Sequence, residues 1–397
     1  MIKNPLFPTV VVALTIAVNG FAEVRTWTND KGVALEAEFV SQADGVVKIR
    51  RISNGRNYDI PIASLSRADQ DWLAKQAAAS GGSGEGIYIA AGNGGHRMSS
   101  LDGLTWTNHE FFDKPAHDQN DLKAIAVGNG VCVVVGGFSR SNIFTTSDGV
   151  NWEKNPFNMG VLSGVIFVND QFHAFGEGGR VGASKDGREW EIIGDANVRE
   201  FQTQEAEKLG LDEKIKSNVR RWRHANGIFV GAGDNCIIVS TRDFENWTFA
   251  ERLQPQSRLF IEADTNGFVV RGDRTLHHSS DGVEWTEVTP EIGDNTKFNS
   301  LVHDGERFIL NTRGSEAWES ADGREWKEVK GETFPGTLAT LRPDLYYSFE
   351  TYWKYTEDLK ISTDGGKSWE STTLPGPAGV TCMVFAEGFP AFSAAEP

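Results

Sequence analysis

Several arginines occupy short polar segments that separate two apolar runs, and one further segment of this kind is aromatic. The residues concerned are Arg97, Arg140, Arg180, Arg274, Arg313, Tyr352 and Trp353. A guanidinium group is a rigid fork of donors that pairs with a carboxylate or a phosphate through two hydrogen bonds. If the fold gathers these segments, they predict a binding site for a carboxylate, a phosphate or an acidic peptide. The alternative interpretation is that each arginine is a solvated charge in its own loop.

Other residue patterns with known chemistry are missing from the sequence. It contains no HExxH, GxSxG or P-loop motif. His277 and His278 are adjacent in a β-type run, so their side chains should point to opposite faces of a sheet and cannot hold one metal ion together. We therefore expect no catalytic residue, no cofactor and no metal site.

A repeat determines where the arginine segments lie. Seven times a Ser or Thr is followed two residues later by Asp and, four or five residues further on, by Trp. The pairs are Asp102/Trp106, Asp148/Trp152, Asp186/Trp190, Asp243/Trp247, Asp281/Trp285, Asp322/Trp326 and Asp364/Trp369. Successive Asp residues are 46, 38, 57, 38, 41 and 42 residues apart, which is the period of a four-stranded propeller blade.

Each repeat predicts one blade. In Leu122–Trp152 two apolar runs precede the Asp, a third run ends at it, and a short fourth run follows it. This is the pattern of four antiparallel strands. The first repeat, Ile87–Trp106, lacks an innermost strand, and the run Gly379–Gly388 lacks a blade. We predict an all-β fold in which residues 87–397 form a seven-bladed β-propeller, closed by pairing of this C-terminal strand with blade one. Residues 195–219 are rich in Glu and Lys and predict a helical insertion between blades three and four.

The arginine segments fall between the second and third strands of their blades. In a propeller these loops and the connections between blades open at the mouth of the central channel, where ligands bind. We therefore expect the arginines and the two aromatic residues to line this funnel.

The Asp of each repeat is expected to stabilise a tight hairpin. Its carboxylate can accept backbone N–H groups across the turn, and the preceding Ser or Thr can add another bond. A glycine after the Asp permits a left-handed turn in six repeats, whereas Phe244 takes this place in the fourth. The Trp would cover the turn at the outer edge of the blade. We interpret the pairs as structural, and because each Asp stands alone in its blade we expect no metal there.

This repeat resembles the Asp-box, or BNR, repeat of sialidase-like propellers. It is also similar to the repeat of the photosystem assembly factors of plants and cyanobacteria, a resemblance that implies an exported binding scaffold. Sialidases use three arginines, a Tyr–Glu nucleophile pair and an Asp acid/base, and they carry an Arg-Ile-Pro type motif that is missing here. In the seventh repeat, four tyrosines lie near two glutamates (Tyr346, Tyr347, Tyr352, Tyr355, Glu350 and Glu357). We interpret this group as an aromatic strand, with a sialidase-like glycoside hydrolase as an alternative function.

Residues 23–76 predict a separate small domain. Alternating runs at 33–40 and 46–52, a strand through 58–62 and a helix capped by Ser66 follow one another. The order Arg25-Thr26-Trp27, two turns, IPIASLS and ADQDWL resembles the Sla homology domain of the first type, a small SH3-like barrel. The resemblance implies a peptide-binding module. Residues 77–86 read as a Gly/Ser linker.

Residues 1–22 have the pattern of a secretory signal peptide. Lys3 precedes the apolar run Thr9–Val18, and Gly20 and Ala22 are small residues at a cleavage site before Glu23. The apolar run is too short to span a bilayer. We expect an exported protein, periplasmic or extracellular, with no membrane span.

Composition limits the partners. The net charge of the 397 residues is −16, a field that repels phosphate backbones and makes nucleic acid an unsuitable partner. Three cysteines without a CxxC pair predict buried free thiols. The favoured function is a monomeric, non-catalytic binding or scaffold protein for a protein, a peptide or an acidic glycan. A structural component of a surface layer or matrix is a further alternative.

Overall fold

The structure is a computed structural model that describes 14 stretches of the chain. These are residues 24–29, 31–43, 46–52, 54, 56–70, 72–73, 86–112, 120–208, 217–251, 253, 258–293, 296–349, 358–376 and 379–390. The predicted signal peptide, most of the predicted linker, Tyr352 and Trp353 lie outside them. The chain divides into two compact units, Met1–Ser83 and Gly84–Pro397.

The small unit contains a four-stranded antiparallel sheet in sequence order. Its elements are β1 (Val24–Thr28), β2 (Ala34–Ala43), β3 (Val46–Arg51), β4 (Asn57–Pro61), the 3-10 turn Ile62–Ser64 and helical residues 67–70 and 72–73. The alternation of the strands places one face against a core formed by Trp27, Ala37, Val47, Ile49, Leu65 and Leu73. The indole of Trp27 donates to the carbonyl of Ala37 at 3.1 Å.

Asp69 connects the helix of the small unit to its first strand. The Ser66 hydroxyl accepts the Asp69 N–H at 3.2 Å, as expected of a cap. The Asp69 carboxylate does not complete a reciprocal capping box; it accepts the Thr28 N–H at 2.8 Å and pairs with Arg25 at 2.7 Å. The Arg25 guanidinium also lies 4.0 Å from the ring centroid of Trp72. A buried carboxylate thus holds helix and sheet together through charge-assisted bonds.

The large unit is a seven-bladed β-propeller of four-stranded antiparallel sheets, as predicted. The strands of each blade are given from the channel outwards. Blade one contains β32 (Val380–Glu387), β5 (Gly86–Gly92), β6 (Arg97–Ser100) and β7 (Trp106–Glu110), and blade two contains β8 (Leu122–Gly128), β9 (Val131–Gly136), β10 (Asn142–Thr146) and β11 (Glu153–Asn155). Blade three contains β12 (Leu162–Val168), β13 (Gln171–Gly176), β14 (Arg180–Ser184) and β15 (Glu191–Asp195), and blade four contains β16 (Val219–Ala225), β17 (Ile228–Gly233), β18 (Ile238–Thr241) and β19 (Trp247–Phe249). Blade five contains β20 (Phe260–Asp264), β21 (Gly267–Arg271), β22 (Leu276–Ser279) and β23 (Thr286–Glu287). Blade six contains β24 (Phe298–His303), β25 (Phe308–Thr312), β26 (Ala317–Ser320) and β27 (Lys327–Glu328). Blade seven contains β28 (Thr337–Arg342), β29 (Leu345–Phe349), β30 (Asp358–Ser362) and β31 (Glu370–Thr373).

The ring is closed by its last strand. β32 pairs antiparallel with β5 from Val380 opposite Gly92 to Glu387 opposite Gly86, which confirms the predicted closure. Each innermost strand also contacts the innermost strand of the next blade, and β32 completes the circle by contacting β8. Gly92 lies so close to the entering strand that a Cβ atom there would be 1.9 Å from the Gly379 carbonyl oxygen. Closure therefore leaves no side-chain space at this position.

Second strands form the core of the blades. Every residue of β9 and of β17 is buried, because each strand is covered on both faces by neighbouring blades. The outermost strands are largely exposed, as in β11. The predicted helical insertion is present as the helix Val198–Lys208, and short 3-10 turns occur at Asn93–Gly95 and Asp234–Cys236. Cys132 and Cys236 are buried and Cys382 is half-buried, and none of the three forms a disulfide.

The Asp of each repeat accepts backbone hydrogen bonds. In six turns one carboxylate oxygen accepts the N–H groups of the second and third residues after the Asp, at 2.7–3.0 Å. The longer seventh turn shifts by one residue, and Asp364 accepts from Lys367 and Ser368. The residue after each Asp is left-handed, with φ between 70° and 78° for the six glycines and 63° for Phe244. Glycine adopts this conformation without the steric cost that a side chain brings.

The tryptophans of the repeat bind their own turn in three blades. There the indole N–H donates to the carbonyl of the residue that follows the Asp, at 2.9–3.3 Å. These bonds join Trp190 to Gly187, Trp247 to Phe244 and Trp326 to Gly323. The half-buried ring of Trp190 also stacks on Phe157, which comes from the connection between blades two and three. In these repeats the Trp binds the turn, as we expected, and Trp190 also contacts the connection from the preceding blade.

In the other four repeats the indole makes no such bond to its own turn within the described part of the chain, and the N–H groups of Trp106 and Trp152 are enclosed there without an acceptor. The N–H of the half-buried Trp285 is enclosed without an acceptor among the described residues, and its ring packs against the core between blades four and five. The longer seventh turn moves Trp369, whose N–H donates to the Thr333 carbonyl at 2.6 Å. Thr333 lies in the connection from blade six to blade seven. Both indoles therefore contribute to contacts between blades, because turn length and neighbouring side chains decide where the ring fits.

These turns also contact the preceding blade, which the sequence pattern did not suggest. A Cβ atom on Gly187 of blade three would lie 2.5 Å from Val133 of blade two, and one on Gly282 of blade five would lie 2.5 Å from Val230 of blade four. The Thr145 hydroxyl of blade two donates to the Gly187 carbonyl at 3.0 Å. In blade four the larger Phe244 packs against His173 and Phe175 of blade three. The repeat therefore stabilises contacts between blades as well as its own hairpin.

Candidate functional site

The topology brings the predicted site loops to one end of the propeller. Consecutive antiparallel strands reverse direction, so the loop between the second and third strands and the connection to the next blade emerge at the same end of each sheet. We call this end the funnel face. The loops that carry Arg140, Arg274 and Arg313 and the first residue of β14, Arg180, all lie there.

Arg97 does not belong to an open site, which corrects the prediction for this residue. Its side chain is 4% exposed and is paired with Glu110 at 2.6 Å. Its guanidinium lies 4.1 Å from the ring centroid of Phe144 and 5.5 Å from that of Trp152, both in blade two. Burial lowers the pKa of Arg97, and the Glu110 carboxylate opposes this effect. Arg97 packs blade one against blade two.

The other predicted arginines are accessible. Arg140, Arg274 and Arg313 are exposed. Arg180 is exposed and its Nε lies 3.3 Å from the Asp195 carboxylate. It lines an open cleft of about 690 Å³ that extends to Glu200 of the insertion helix.

A cationic centre that the sequence analysis missed lies around the ring of Phe260. Phe260 begins the innermost strand of blade five and pairs in register with Arg271, the last residue of the second strand. The Arg271 guanidinium lies 4.1 Å from the ring centroid, and that of Arg221 lies 5.2 Å from it. Two like charges therefore share one aromatic ring, each gaining a cation–π attraction.

Arg271 is buried without a carboxylate partner. Its side chain is 5% exposed, and among the described residues no acid lies within ion-pair distance of it. Nη1 donates to the Gly272 carbonyl at 3.1 Å, whereas the buried Nε has no acceptor in the described part of the chain. Burial lowers the pKa of Arg271 to about 9; the charges of Arg221 and Arg313 add to this effect and Asp273 opposes it. Such a group favours an anionic ligand, which would supply the missing acceptor.

Arg221 is an exposed residue of the innermost strand of blade four. Burial raises the pKa of the Cys382 thiol to about 12, and the Arg221 charge opposes this rise. Cys382 belongs to the innermost strand of blade one and Arg221 to that of blade four.

A chain of ion pairs borders the same centre. Lys123 and Arg220 both contact Glu177, at 2.8 and 2.5 Å, and Arg220 and Arg258 both contact Asp234 at 2.7 Å. Lys123 and Arg220 are the extra residues of β-bulges at the starts of β8 and β16. A bulge re-aims a side chain out of the regular alternation. Because this chain of pairs contains three cations and two carboxylates, positive charge exceeds negative charge within it.

The sequence carried only weak signals for this centre. Arg271 ends an apolar strand and precedes a glycine, and Arg220 and Arg221 are adjacent at the start of another strand. Bulges change which side of a strand a residue faces, so alternation alone does not locate these side chains.

Tyr346 and Tyr347, the two tyrosines of blade seven that the structure describes, have structural roles. The Tyr346 hydroxyl donates to Asp304 of blade six, and the Tyr347 hydroxyl donates to the Gly103 carbonyl of blade one at 2.8 Å. Both side chains are fully buried between blades, and burial raises both pKa values. They form the aromatic strand that we predicted. Glu350 lies outside the described residues.

No metal centre is formed by the described residues, among which no group of three or more His, Cys, Asp or Glu side chains is suitably placed. His277 and His278 alternate along β22 and face opposite sides of the sheet. Where the structure describes the chain, none of its helices combines the length and apolarity needed to cross a bilayer.

Comparison with known proteins supports the fold. No family model and no curated protein matches the chain. The solved structure of YCF48 bound to D1 peptide is similar with a TM-score of 0.51 and 13% identity, over 71% of this chain and 87% of that one. YCF48 from Cyanidioschyzon merolae is similar with a TM-score of 0.46 and 15% identity, over 65% and 86% of the two chains. The GH74 xyloglucanase from Xanthomonas campestris has a TM-score of 0.45 and 13% identity, over 77% and 53%. At these identities the likeness concerns the propeller fold.

Proposed function

We propose that this protein is a non-catalytic binding protein and that the funnel face of its propeller recognises an acidic group on a protein or peptide partner. The observation that carries the proposal is Arg271, a buried guanidinium beside a second guanidinium and without a carboxylate among the described residues. Leaving a buried charge unpaired is costly, and a carboxylate from a partner removes that cost.

The rim of the funnel face offers contacts for a larger partner. Phe138 is 64% exposed and lies two residues before the exposed Arg140. Aromatic and arginine side chains contribute most of the affinity in many protein interfaces. An acidic peptide can therefore place a carboxylate against Arg271 in blade five, and a larger partner can also contact Phe138 in blade two.

A peptide ligand agrees with what is known of a protein of similar fold. The YCF48 propeller has been solved with D1 peptide bound, so a propeller of this kind is able to bind a peptide. We extend the proposal to the expectations drawn from the sequence. The protein would be exported and monomeric, and its small SH3-like unit would provide a second peptide-binding surface.

Titration calorimetry with acetylated hexaglutamate tests the proposal. We expect hexaglutamate to bind the native protein and acetylated hexaglutamine not to bind. Arg271→Gln should weaken binding at least tenfold, about 1.4 kcal/mol. Arg324→Gln is the matched control because Arg324 is an exposed arginine in a repeat turn at the opposite end of its blade.

Two results would contradict the proposal. Equal weakening by Arg271→Gln and Arg324→Gln would mean that hexaglutamate responds to overall charge rather than to the funnel. Absence of binding to hexaglutamate would remove acidic peptides as ligands. A parallel titration with 3′-sialyllactose tells an acidic glycan from a peptide, and release of sialic acid in that sample would overturn the non-catalytic assignment.

A further inference from the structure

A second groove, with the opposite charge preference, lies where the connection from blade five to blade six packs against the outer strands of blade six. It has a volume of about 620 Å³. Two indole rings, Trp318 and Trp326, and the side chain of Ile292 contribute its apolar wall, and Glu291, Glu316 and Glu328 contribute carboxylates. This combination of rings and acids is distinct from the arginine centre of the funnel.

The β-structure explains why these residues share one surface. Trp318 of β26 pairs in register with Glu328 of β27, so the two side chains are cross-strand neighbours. Glu316 lies two residues before Trp318, and Trp326 lies two residues before Glu328. Glu316 and Trp326 directly precede β26 and β27, and all four residues line the groove.

The carboxylates of this face have no basic partner among the described residues. Neither Glu316 nor Glu328 nor Glu291 lies within ion-pair distance of a described Lys or Arg side chain, and all three are exposed. The opposite face of the same two strands behaves differently. There Glu319 contacts Lys327 at 2.8 Å and also pairs with Arg307. One face of the blade is thus neutralised internally, whereas the groove face keeps its negative charge.

We propose that this groove binds a basic segment of a partner protein, with a lysine or arginine side chain placed against Trp318 and Trp326. A guanidinium or ammonium group is attracted to the face of an indole ring, and its methylene stem packs on apolar surface. The three uncompensated carboxylates attract the same group and are arranged to pair with it. The groove is larger than one side chain, which suits a segment of several residues. The proposal stands independently of the proposed acidic-peptide site.

Fluorescence anisotropy with two labelled peptides tests this inference. The probes are hexa-arginine and hexacitrulline, both acetylated and amidated, which have nearly the same shape and differ in charge. We expect hexa-arginine to bind and hexacitrulline to bind at least tenfold more weakly. The double variant Glu316→Gln/Glu328→Gln should weaken hexa-arginine binding at least tenfold.

The control must separate the groove from the general negative field of the protein. Glu189→Gln/Glu245→Gln removes the same charge from two exposed repeat turns in blades three and four and should change affinity by less than about twofold, because distant surface charges are screened. Trp326→Phe keeps an aromatic ring and tests the indole separately; we expect weaker hexa-arginine binding at a temperature where the variant is folded, and a somewhat lower melting temperature because the indole N–H also donates to the Gly323 carbonyl. Far-ultraviolet circular dichroism of each variant verifies folding.

Three outcomes would overturn the proposal. Equal losses in the two double variants would assign hexa-arginine binding to the overall field. Full affinity in Glu316→Gln/Glu328→Gln would place the site elsewhere. Equal affinity for the two peptides, together with binding of cellohexaose that is unaffected by the Glu variants, would identify the groove as a surface for neutral ligands such as glycans.

Discussion

The guanidinium of Arg271 lies 4.1 Å from the ring centroid of Phe260, its cross-strand partner at the funnel end of blade five. This contact keeps a charge in a buried position where burial and the neighbouring Arg221 both disfavour it. A cation–π contact offsets only part of the cost of burying a charge. Groups held in an unfavourable state of this kind cluster at functional sites.

Replacement of Arg271 by methionine should therefore separate stability from binding. We expect Arg271→Met to raise the free energy of unfolding by about 1–3 kcal/mol, because an apolar chain of similar length replaces a buried unpaired charge. The same variant should lose hexaglutamate binding. Chemical denaturation and calorimetry measure the two effects. A destabilised Arg271→Met protein would show that the guanidinium is satisfied in the folded chain.

The repeat aspartates should make the propeller sensitive to acid. Hydrogen bonds from the Asn246 side chain, and from the N–H groups of Asn246 and Glu245, lower the pKa of Asp243 to about 2. The pKa values of the other six repeat aspartates are also lowered. A lowered pKa in the folded state stabilises the fold above the unfolded pKa, near 4, and this contribution is lost as pH falls through the folded value.

We therefore expect the melting temperature to fall between about pH 4 and pH 2. Asp243→Asn should melt below the native protein at pH 7, and the difference should shrink as pH approaches 2, since protonation removes the same charge from the native residue. Thermal unfolding followed by circular dichroism at several pH values measures this. A constant difference across the range would show that the carboxylate charge does not matter.

Two glycines with the same backbone conformation test the contact between repeat turn and preceding blade. Gly187 has φ 71° and would place a Cβ 2.5 Å from Val133, whereas Gly130 has φ 69° and no atom within 4 Å of that position. Alanine at either position should lower the free energy of unfolding by about 1 kcal/mol, because its side chain disfavours the left-handed backbone conformation. Gly187→Ala should lose about 1–3 kcal/mol more through overpacking. Equal losses in denaturant titrations would mean that the blades shift to accommodate the methyl group.

Closure of the ring should depend on the absence of a side chain at residue 92. The φ of Gly92 is −170°, an extended value that any residue can adopt. Backbone strain therefore does not contribute to the effect of an alanine at this position. A methyl group there would meet the Gly379 carbonyl oxygen at 1.9 Å. We expect Gly92→Ala to destabilise the propeller by about 1–3 kcal/mol or more and to expose the C-terminal strand to proteolysis. Chymotrypsin can cleave this strand after Phe385, and resistance at native levels would argue against the steric explanation.

The sequence by itself was enough to predict the fold of the large unit. The Asp–Trp spacing counted the blades, and an incomplete first repeat with a surplus C-terminal strand indicated how the ring closes. These features are local or periodic, so they can be recognised in the sequence without knowledge of the tertiary structure. The glycine after each Asp is likewise readable, since a left-handed turn needs it whatever surrounds it. The hydrogen-bond partner of each Trp cannot be read from the sequence, because Trp190 binds its own turn whereas Trp369 binds Thr333 of the preceding connection.

Tertiary structure decided which charges are available to a ligand. Arg97 and Arg274 occupy equivalent loops in sequence, yet Arg97 is buried against Phe144 of the next blade and Arg274 is exposed. Arg221 and Arg271 are 50 residues apart in the chain, and they meet only because neighbouring blades place them beside Phe260. Burial and charge coupling arise from contacts between blades, and such contacts depend on the closed ring rather than on any single repeat.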